Sequence, residues 1–427
     1  MTTALPLPLF PDSATLAGDE LVVGGVRASA LAAEFGTPLV VYCEQSLRAR
    51  ARAYRAAAPD ALVAFGTKAF PNVAVLRLLA EEGLGADVST VGELEYALRA
   101  GVPGERIVVH GNNKSLEELR AYAAAGVAQV VVDALDEVAL CAEAGVRSIL
   151  VRTTLDIEVD THEAIATGHH GSKFGLPPEL AMEALSAARS AGIEAAGLHV
   201  HLGSQLLDAA PGQAAVVGLL QVVLEARERL GGWTPSTIDL GGGLGIRYTQ
   251  GDVPPTVDMF AGGQIARLRA EWTTHSLPQP RLILEPGRSI VGQAGFTLYR
   301  VGVVKSTGDG TTYVAIDGGM SDNPRPQLYG AVYEALLAER AAEPLASGTF
   351  AVCGKHCESG DVLIEEARLP HPRRGDLLAV PATGAYTLAM GSNYNALPRP
   401  AAVLVGSGTA RLIRRRETLA DLLALEA

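Results

Sequence analysis

Ala64-Phe65-Gly66-Thr67-Lys68-Ala69-Phe70-Pro71-Asn72 is the stretch on which the reading of the chain turns. The apolar run from Ala61 to Phe65 has the length and character of a buried parallel strand. A lysine stands just past its end. Asn72 then opens Val73-Ala74-Val75-Leu76-x-Leu78-Leu79 as the N-cap of an apolar-periodic helix. The C-terminal mouth of a buried βα unit is where barrel enzymes keep their chemistry. A lysine there, poorly solvated, has its ammonium form disfavoured, so a neutral amine able to make a Schiff base becomes accessible. The plain alternative is a strand-end lysine that snorkels to water.

Outward from this unit the same rhythm continues. Short apolar strands are predicted at Leu62–Phe65, Gly85–Val88, Ile107–His110, Gln129–Val132, Ser148–Arg152, Gly197–Leu202, Thr237–Leu240 and Leu282–Leu284. Helical patterns such as Val91–Ala100, Ser115–Ala125, Leu135–Ala144, Pro178–Ala191 and Ala214–Leu230 fall between them. Eight strand-helix alternations predict an α/β fold of the (β/α)8 TIM-type barrel class, with an open doubly wound sheet as the alternative. After about residue 290 strand-like runs follow one another with Gly and Pro turns, among them Phe296–Thr307, Asp376–Val380 and Ala401–Val405. That texture predicts a C-terminal mainly-β domain. The expected division is 1–35 as an N-terminal segment joining the β domain, 36–290 as the barrel and 291–427 as the β domain.

Composition bounds the function. The chain has 427 residues, 48% hydrophobic and 19% charged, enough for a large core. A formal charge of -12 and a pI near 5.3 argue against nucleic acid as a partner, and the basic trio Arg414-Arg415-Arg416 reads as a solvated strand end. Residues Met1 to Pro11 lack a basic flank and carry three prolines, unlike a signal peptide, and no apolar segment approaches membrane-spanning length. Four scattered cysteines, Cys43, Cys141, Cys353 and Cys357, fit a reducing cytoplasm. No second pair completes a metal-ligand spacing with Cys353 and Cys357, so no metal site is expected.

Almost every proposed barrel strand ends in polar or glycine-rich residues: Lys68, Asp87, His110-Gly111-Asn112-Asn113, Arg152, His199-Val200-His201-Leu202-Gly203-Ser204, Asp239-Leu240-Gly241-Gly242-Gly243-Leu244-Gly245 and Glu285-Pro286-Gly287-Arg288. Converging on one rim, they describe a site. Strand alternation puts His199 and His201 on one face, one of the two being structural. The glycine run lets backbone N–H groups approach a phosphate, in the late loops where barrels place one. Glu285 can offer a carboxylate to a pyridinium nitrogen; the alternative is a surface acid in a turn. A reactive lysine, a glycine cradle, an imidazole that stacks and an acid for a ring nitrogen together specify pyridoxal 5'-phosphate.

The motifs Ala64-Phe65-Gly66-Thr67-Lys68-Ala69, His201-x-Gly203-Ser204-Gln205, Gly241-Gly242-Gly243-x-Gly245, Glu285-Pro286-Gly287-Arg288, Cys357-Glu358-Ser359-Gly360-Asp361 and Gly384-Ala385-Tyr386 resemble the set found in diaminopimelate decarboxylases, in order and over essentially the whole chain. The resemblance implies a fold-type III pyridoxal-phosphate enzyme with an alanine-racemase-like barrel and a C-terminal β domain. It implies Lys68 as the Schiff-base lysine and His201 stacked on the cofactor ring. Ser204, Gly243 and the turn from Glu285 through Gly287 to Arg288 would hold the phosphate and the pyridine nitrogen, with Tyr386 near phosphate and substrate. Asp87 matches an acid near the lysine. The family's homodimer shares its active site across the interface, so the Cys357-Glu358 segment would come from the other subunit with Cys357 as proton donor. A free cysteine is otherwise most often a buried apolar thiol.

The substrate follows from charge. Meso-2,6-diaminopimelate carries a second carboxylate and amine at its far end, and Arg288, Arg325 and Tyr329 match the family's distal carboxylate clamp, with Glu358 as the amine partner. The segment from Thr161 through His169 to Ser172-Lys173-Phe174-Gly175 resembles the same branch. The implied reaction is decarboxylation to L-lysine and CO2. The alternative is a decarboxylase of another basic or carboxylated polyamine-type amino acid. A catalytically dead cofactor binder would be expected to lose Lys68 or Cys357, and a metal-dependent barrel is disfavoured because no carboxylate-histidine cluster recurs at ligand spacing. Three local departures from the family pattern, at Phe65-Gly66-Thr67, Arg152-Thr153-Thr154 and Gly354-Lys355-His356, remove no catalytic group.

Overall fold

Eight parallel strands close on themselves in the computed structural model, which describes residues 5–155 and 173–426. In chain order they are Leu62–Gly66, Gly85–Val88, Ile107–Val109, Gln129–Val132, Ser148–Arg152, Glu194–His199, Thr237–Asp239 and Arg281–Leu284. Each pairs with its successor, and the last returns to the first with Ile283 opposite Leu62 and Leu284 opposite Val63. The sheet is therefore a barrel and not the open alternative. Its interior is filled by small and branched side chains, Ala64, Val108, Val131, Leu150, Ala196 and Ile283, as a packed barrel requires. Between strands run helices whose ends are written in the sequence. Asn72 Oδ1 accepts from the amides of Ala74 (3.0 Å) and Val75 (3.2 Å) to start Val73–Glu81, and Ser115 and Glu118 form a capping box ahead of Leu116–Ala125. This unit comprises Arg50–Gly245 and Pro254–Arg288.

The second unit gathers Met1–Ala49, Ile246–Val253 and Ser289–Ala427. Its main sheet runs Val362–Ala367, Phe350–Cys353, Thr312–Ile316, Gly295–Ser306, Leu39–Cys43, Ala401–Gly406 and Thr409–Arg414, with Leu377–Pro381 also on Gly295–Ser306 and Leu336–Leu337 beyond it. Leu39–Cys43, which a barrel beginning at residue 36 would include, lies instead inside this sheet. It is antiparallel to Gly295–Ser306 and parallel to Ala401–Gly406, and all five of its residues are buried. A fully buried apolar run looks the same in a barrel and in the middle of a mixed sheet, so only its pairing decides. The small antiparallel sheet Thr15–Ala17, Glu20–Val23 and Val26–Arg27 packs with it. Phe10, Leu21, Val23 and Leu31 share one core with Leu39, Phe296, Leu298 and Val403.

The arginine trio stands at a strand end and is partly solvated, with Arg415 exposed, and it also makes bonds. Arg414 ends a strand, Arg415 holds Asp421 with both terminal nitrogens (2.5 and 2.7 Å), and Arg416 donates to the carbonyls of Pro38 (2.7 Å) and Phe35 (3.3 Å). The segment Thr161 to Ser172 lies outside the described residues.

Candidate active site

The barrel rim carries most of the predicted residues. Lys68 sits in a 3-10 turn, Thr67–Ala69, directly after its strand, and its Nζ donates to Asp87 Oδ2 at 3.1 Å. The Asp87 side chain is 1% exposed whereas that of Lys68 is 48% exposed. The poorly solvated lysine expected from the sequence is therefore not what the rim holds: the side chain is half-exposed and meets a buried carboxyl group. The turn after the last strand lies against it, because barrel closure lets Gly66 N donate to Pro286 O at 3.0 Å.

Behind this pair, Glu285 is buried between two imidazoles. His110 Nε2 makes a short contact with Oε1, His199 Nε2 lies 3.4 Å from Oε2, and the two rings meet edge-on with centroids 4.7 Å apart. Burial alone would raise Glu285, but His110 by charge and hydrogen bond, then His199, outweigh it and hold the carboxyl well below its usual range. Neighbouring Asp239 goes the other way: burial first, then the Glu285 carboxylate, push it well above the usual range. The two acids of the pair are thus pushed in opposite directions. Burial also takes His199 down to about 3, so its ring is neutral at neutral pH. The alternative of Glu285 as a surface acid is excluded.

His110, His199, Asp239 and Glu285 bring ligand-type atoms within 4.8 Å of one another, which corrects the expectation that the chain holds no carboxylate-histidine cluster. The four come from the ends of four different strands, so linear spacing could not show them. The His110–Glu285 contact already occupies lone pairs that a cation would need.

Beside this floor lies a bare-backbone cradle. A Cβ on Gly242 would sit 2.2 Å from the carbonyl oxygen of Glu285, and one on Gly243, at φ +115°, would sit 2.8 Å from that of Gly203. Leu206 N donates to Gly243 O and Gly245 N to Leu206 O, both at 2.9 Å, which locks the glycine run onto the Gly203-Ser204 turn. Ser204 Oγ accepts from Arg288 Nε (3.2 Å) and Nη2 (2.9 Å), and Gly287 packs against Gly66 in the same turn. Arg288 thus belongs to the cradle. The strand before it stops at His199, so alternation does not reach His201 as the sequence reading assumed. His201 Nδ1 instead accepts from Gly242 N at 3.3 Å, and burial, then the charges of Lys68 and Arg152, hold the ring well below its usual range.

The remaining predicted residues lie in the β unit. Arg325, 5% exposed, begins the short helix Arg325–Tyr329, donates Nη1 to Tyr333 Oη (2.6 Å) and stacks 4.4 Å over the Tyr248 ring. Its buried Nε makes no hydrogen bond among the described residues. Tyr329 Oη reaches Met390 Sδ at 4.0 Å. Cys357, Glu358, Ser359 and Gly360 form an exposed tip, and Cys357 N donates to Asn395 Oδ1 at 2.9 Å. Tyr386 holds a left-handed backbone, φ +58°, after Gly384, whose amide donates to Gly292 O at 3.0 Å. Sequence reasoning noted His110 and Asp239 as strand-end polar groups without assigning their partners. It gave His356 no role, and none was legible without its contacts.

Comparison with known proteins places the chain in a family. The family profile described as pyridoxal-dependent decarboxylase, pyridoxal binding domain, matches residues 44–292. Diaminopimelate decarboxylase of Actinosynnema pretiosum subsp. auranticum is 44% identical, covering 99% of this chain and 96% of that one, and the Bacillus subtilis (strain 168) protein of the same name is 42% identical with 95% of each covered. The crystal structure of diaminopimelate decarboxylase from M. jannaschii in co-complex with L-lysine superposes with a TM-score of 0.91 at 34% identity, covering 97% of this chain and 98% of that one. Matched over nearly its full length, the chain belongs to the diaminopimelate decarboxylase family of pyridoxal-dependent decarboxylases.

Proposed function

We propose that this enzyme removes the carboxylate at one stereocentre of meso-2,6-diaminopimelate to give L-lysine and CO2, with pyridoxal 5'-phosphate carried on Lys68. The observation that carries the reading is the meeting on one barrel rim of the Lys68–Asp87 pair with Glu285 held ionised by His110 and His199. The residues fit the cofactor. The Gly241-Gly242-Gly243 backbone leaves room that a single Cβ would fill, with Ser204, Gly287 and Arg288 beside it for phosphate, and buried Glu285 offers a carboxylate to the pyridine nitrogen. His201 would lie along the ring and Tyr386 near the phosphate. When bound, the cofactor supplies an acceptor for the electron pair left at Cα as CO2 departs.

The chain's own residues do the rest. Arg325, with Tyr329 and Arg288 assigned to the same clamp, takes the distal carboxylate. The Arg325 Nε left without a hydrogen bond suits a bidentate partner. Glu358 takes the distal amine. Cys357 reprotonates Cα: its S–H bond breaks as the C–H bond forms, and the thiolate then takes a proton back from water. The exposed Cys357–Gly360 tip suits a segment donated across a homodimer interface. No described helix is long and apolar enough to cross a membrane. The enzyme acts on its small-molecule substrate in the cytoplasm, a reducing compartment that the four free thiols suit.

The test is a CO2 and product assay of the purified holoenzyme offered meso-diaminopimelate, L-ornithine, L-lysine and L-arginine separately. L-Lysine formed from diaminopimelate alone is expected. Turnover of another substrate in its place would overturn the assignments of Arg325 and Glu358 while leaving Lys68 in its role.

A further inference from the structure

We propose that His356 and Asp361 are a positioning pair for the Cys357 thiol, an inference that rests on the reading of Cys357 as the proton donor. The thiol lies on a loop that leaves the strand Phe350–Cys353 and returns at Val362–Ala367. Asp361 turns its carboxylate back into that loop. Its Oδ2 accepts from His356 N (3.0 Å) and lies 2.6 Å from His356 Nδ1, and its Oδ1 accepts from Met320 N (2.7 Å). An ionised carboxylate only accepts, so Nδ1 is the nitrogen that carries the proton.

The imidazole is buried and stacks on Tyr394, ring planes 11° apart with centroids at 5.7 Å, and the next residue, Asn395, takes the amide of Cys357. The exposed thiol is thus bracketed: the side chain before it is pinned by Asp361 and Tyr394, and its own backbone by Asn395. Two glycines are shaped around the carboxylate. A Cβ on Gly354 would lie 2.1 Å from Asp361 Oδ2, and one on Gly319 would lie 2.6 Å from it. Lys355 N donates to Gly318 O at 3.0 Å, a bond that a proline at this position could not make. The departure from the family pattern at Gly354-Lys355-His356 is therefore part of the same clamp.

Proton delivery needs its donor within hydrogen-bond reach of the acceptor, and a misplacement of about 1 Å lowers the rate by about 100-fold. The experiment measures kcat, KM for meso-diaminopimelate and the solvent deuterium isotope effect on kcat in the holoenzyme. Wild type is compared with Cys357→Ala, His356→Ala, His356→Asn and Asp361→Asn. His356→Ala and Asp361→Asn are expected to lower kcat by about 10- to 100-fold with KM changed by less than about threefold. The isotope effect is expected to rise as proton delivery becomes the slow step. His356→Asn, whose amide nitrogen can stand near the place of Nδ1, is expected to regain most of kcat, and it decides the matter where the alanine variant does not fold. If Cys357→Ala lowers kcat but His356→Ala and Asp361→Asn do not, the donor reading stands and the positioning pair is refuted. Unchanged kcat in Cys357→Ala refutes both. A loss confined to KM, or one that asparagine does not rescue and that leaves the isotope effect unchanged, is ordinary structural damage and also refutes the pair.

Discussion

Replacing His110 by alanine tests the electrostatic floor of the site. In the wild type Glu285 is a buried carboxylate whose near partner is His110, while His199 at 3.4 Å is long for a hydrogen bond. Deleting the near partner of a buried charged group leaves that group unsatisfied and still desolvated, which costs about 1–3 kcal/mol or somewhat more. The barrel unit of His110→Ala should therefore lose about that much stability near pH 7.5. The sign then changes with pH. Without His110, burial acts on Glu285 with little opposition, so its carboxyl moves above the ordinary range and not below it. A native acid with a raised pKa binds a proton that the unfolded chain has released, so stability falls as pH rises through that window. In the wild type the depressed Glu285 contributes stability that is lost only as pH drops below the ordinary carboxylate range. The part of the deficit that comes from Glu285 should shrink between pH 7.5 and pH 5.5, and groups common to both proteins cancel in the difference.

The assay is urea unfolding of cofactor-free protein followed by tryptophan fluorescence. Both tryptophans, Trp233 and Trp272, lie in the barrel unit, so the signal reports that unit alone. His110→Ala combined with Glu285→Gln should recover at least about 1.5 kcal/mol at pH 7.5, since a neutral amide needs no counter-charge. An equal deficit at both pH values, with no recovery in the double variant, would show that His110 is only a space-filling ring and refute the reasoning.

The other predictions probe the groups around this floor. Lys68→Ala should abolish the visible absorbance of bound cofactor and lower turnover by at least about 1000-fold, and a wild-type spectrum would sink the assignment. Arg325→Ala should lower kcat/KM for meso-diaminopimelate by about 10- to 150-fold with cofactor retained, the loss of a charge-assisted hydrogen bond, and Arg325→Lys should not restore it because a lysine lacks the planar fork. Loss of cofactor from both Arg325 variants would mean that the residue is misassigned. Gly242→Ala, whose Cβ would fall 2.2 Å from the Glu285 carbonyl, should destabilise the barrel by about 1–3 kcal/mol and weaken cofactor binding in an absorbance titration; unchanged affinity would remove the cradle from the site.

What was legible in the sequence was local. Apolar runs of strand length with polar ends placed the barrel strands, because a strand buried on both faces must be apolar throughout and its chemistry is pushed to its end. Asn72 announced a helix start for an equally local reason, its side chain satisfying the first free amides. The strand Leu39–Cys43 was legible as a strand but not as a member of a particular sheet, since nothing within five buried residues says which edge they meet. Lys68 was legible as a rim residue, but its solvation was not, because that depends on how far the neighbouring turns stand from it.

The ionisation of the site shows most clearly where reading along the chain stops. Glu285 and Asp239 are both aspartate- or glutamate-type acids at strand ends, and as isolated residues they would titrate alike. Barrel closure places both in one desolvated space, but it gives Glu285 the imidazole of His110 and leaves Asp239 facing the Glu285 carboxylate. The same burial that would raise either acid alone therefore ends by separating them, Glu285 held below and Asp239 above the usual carboxylate range. Which way each acid is pushed is decided by groups distant in sequence, His110 among them, that barrel closure brings to one rim. The Cys357 loop repeats the principle on a smaller scale. Asp361 reads as the last letter of a motif, yet its carboxylate reaches back five positions to His356 and across to Met320. A motif names the groups that chemistry needs, and the fold determines the charge and direction in which each is presented.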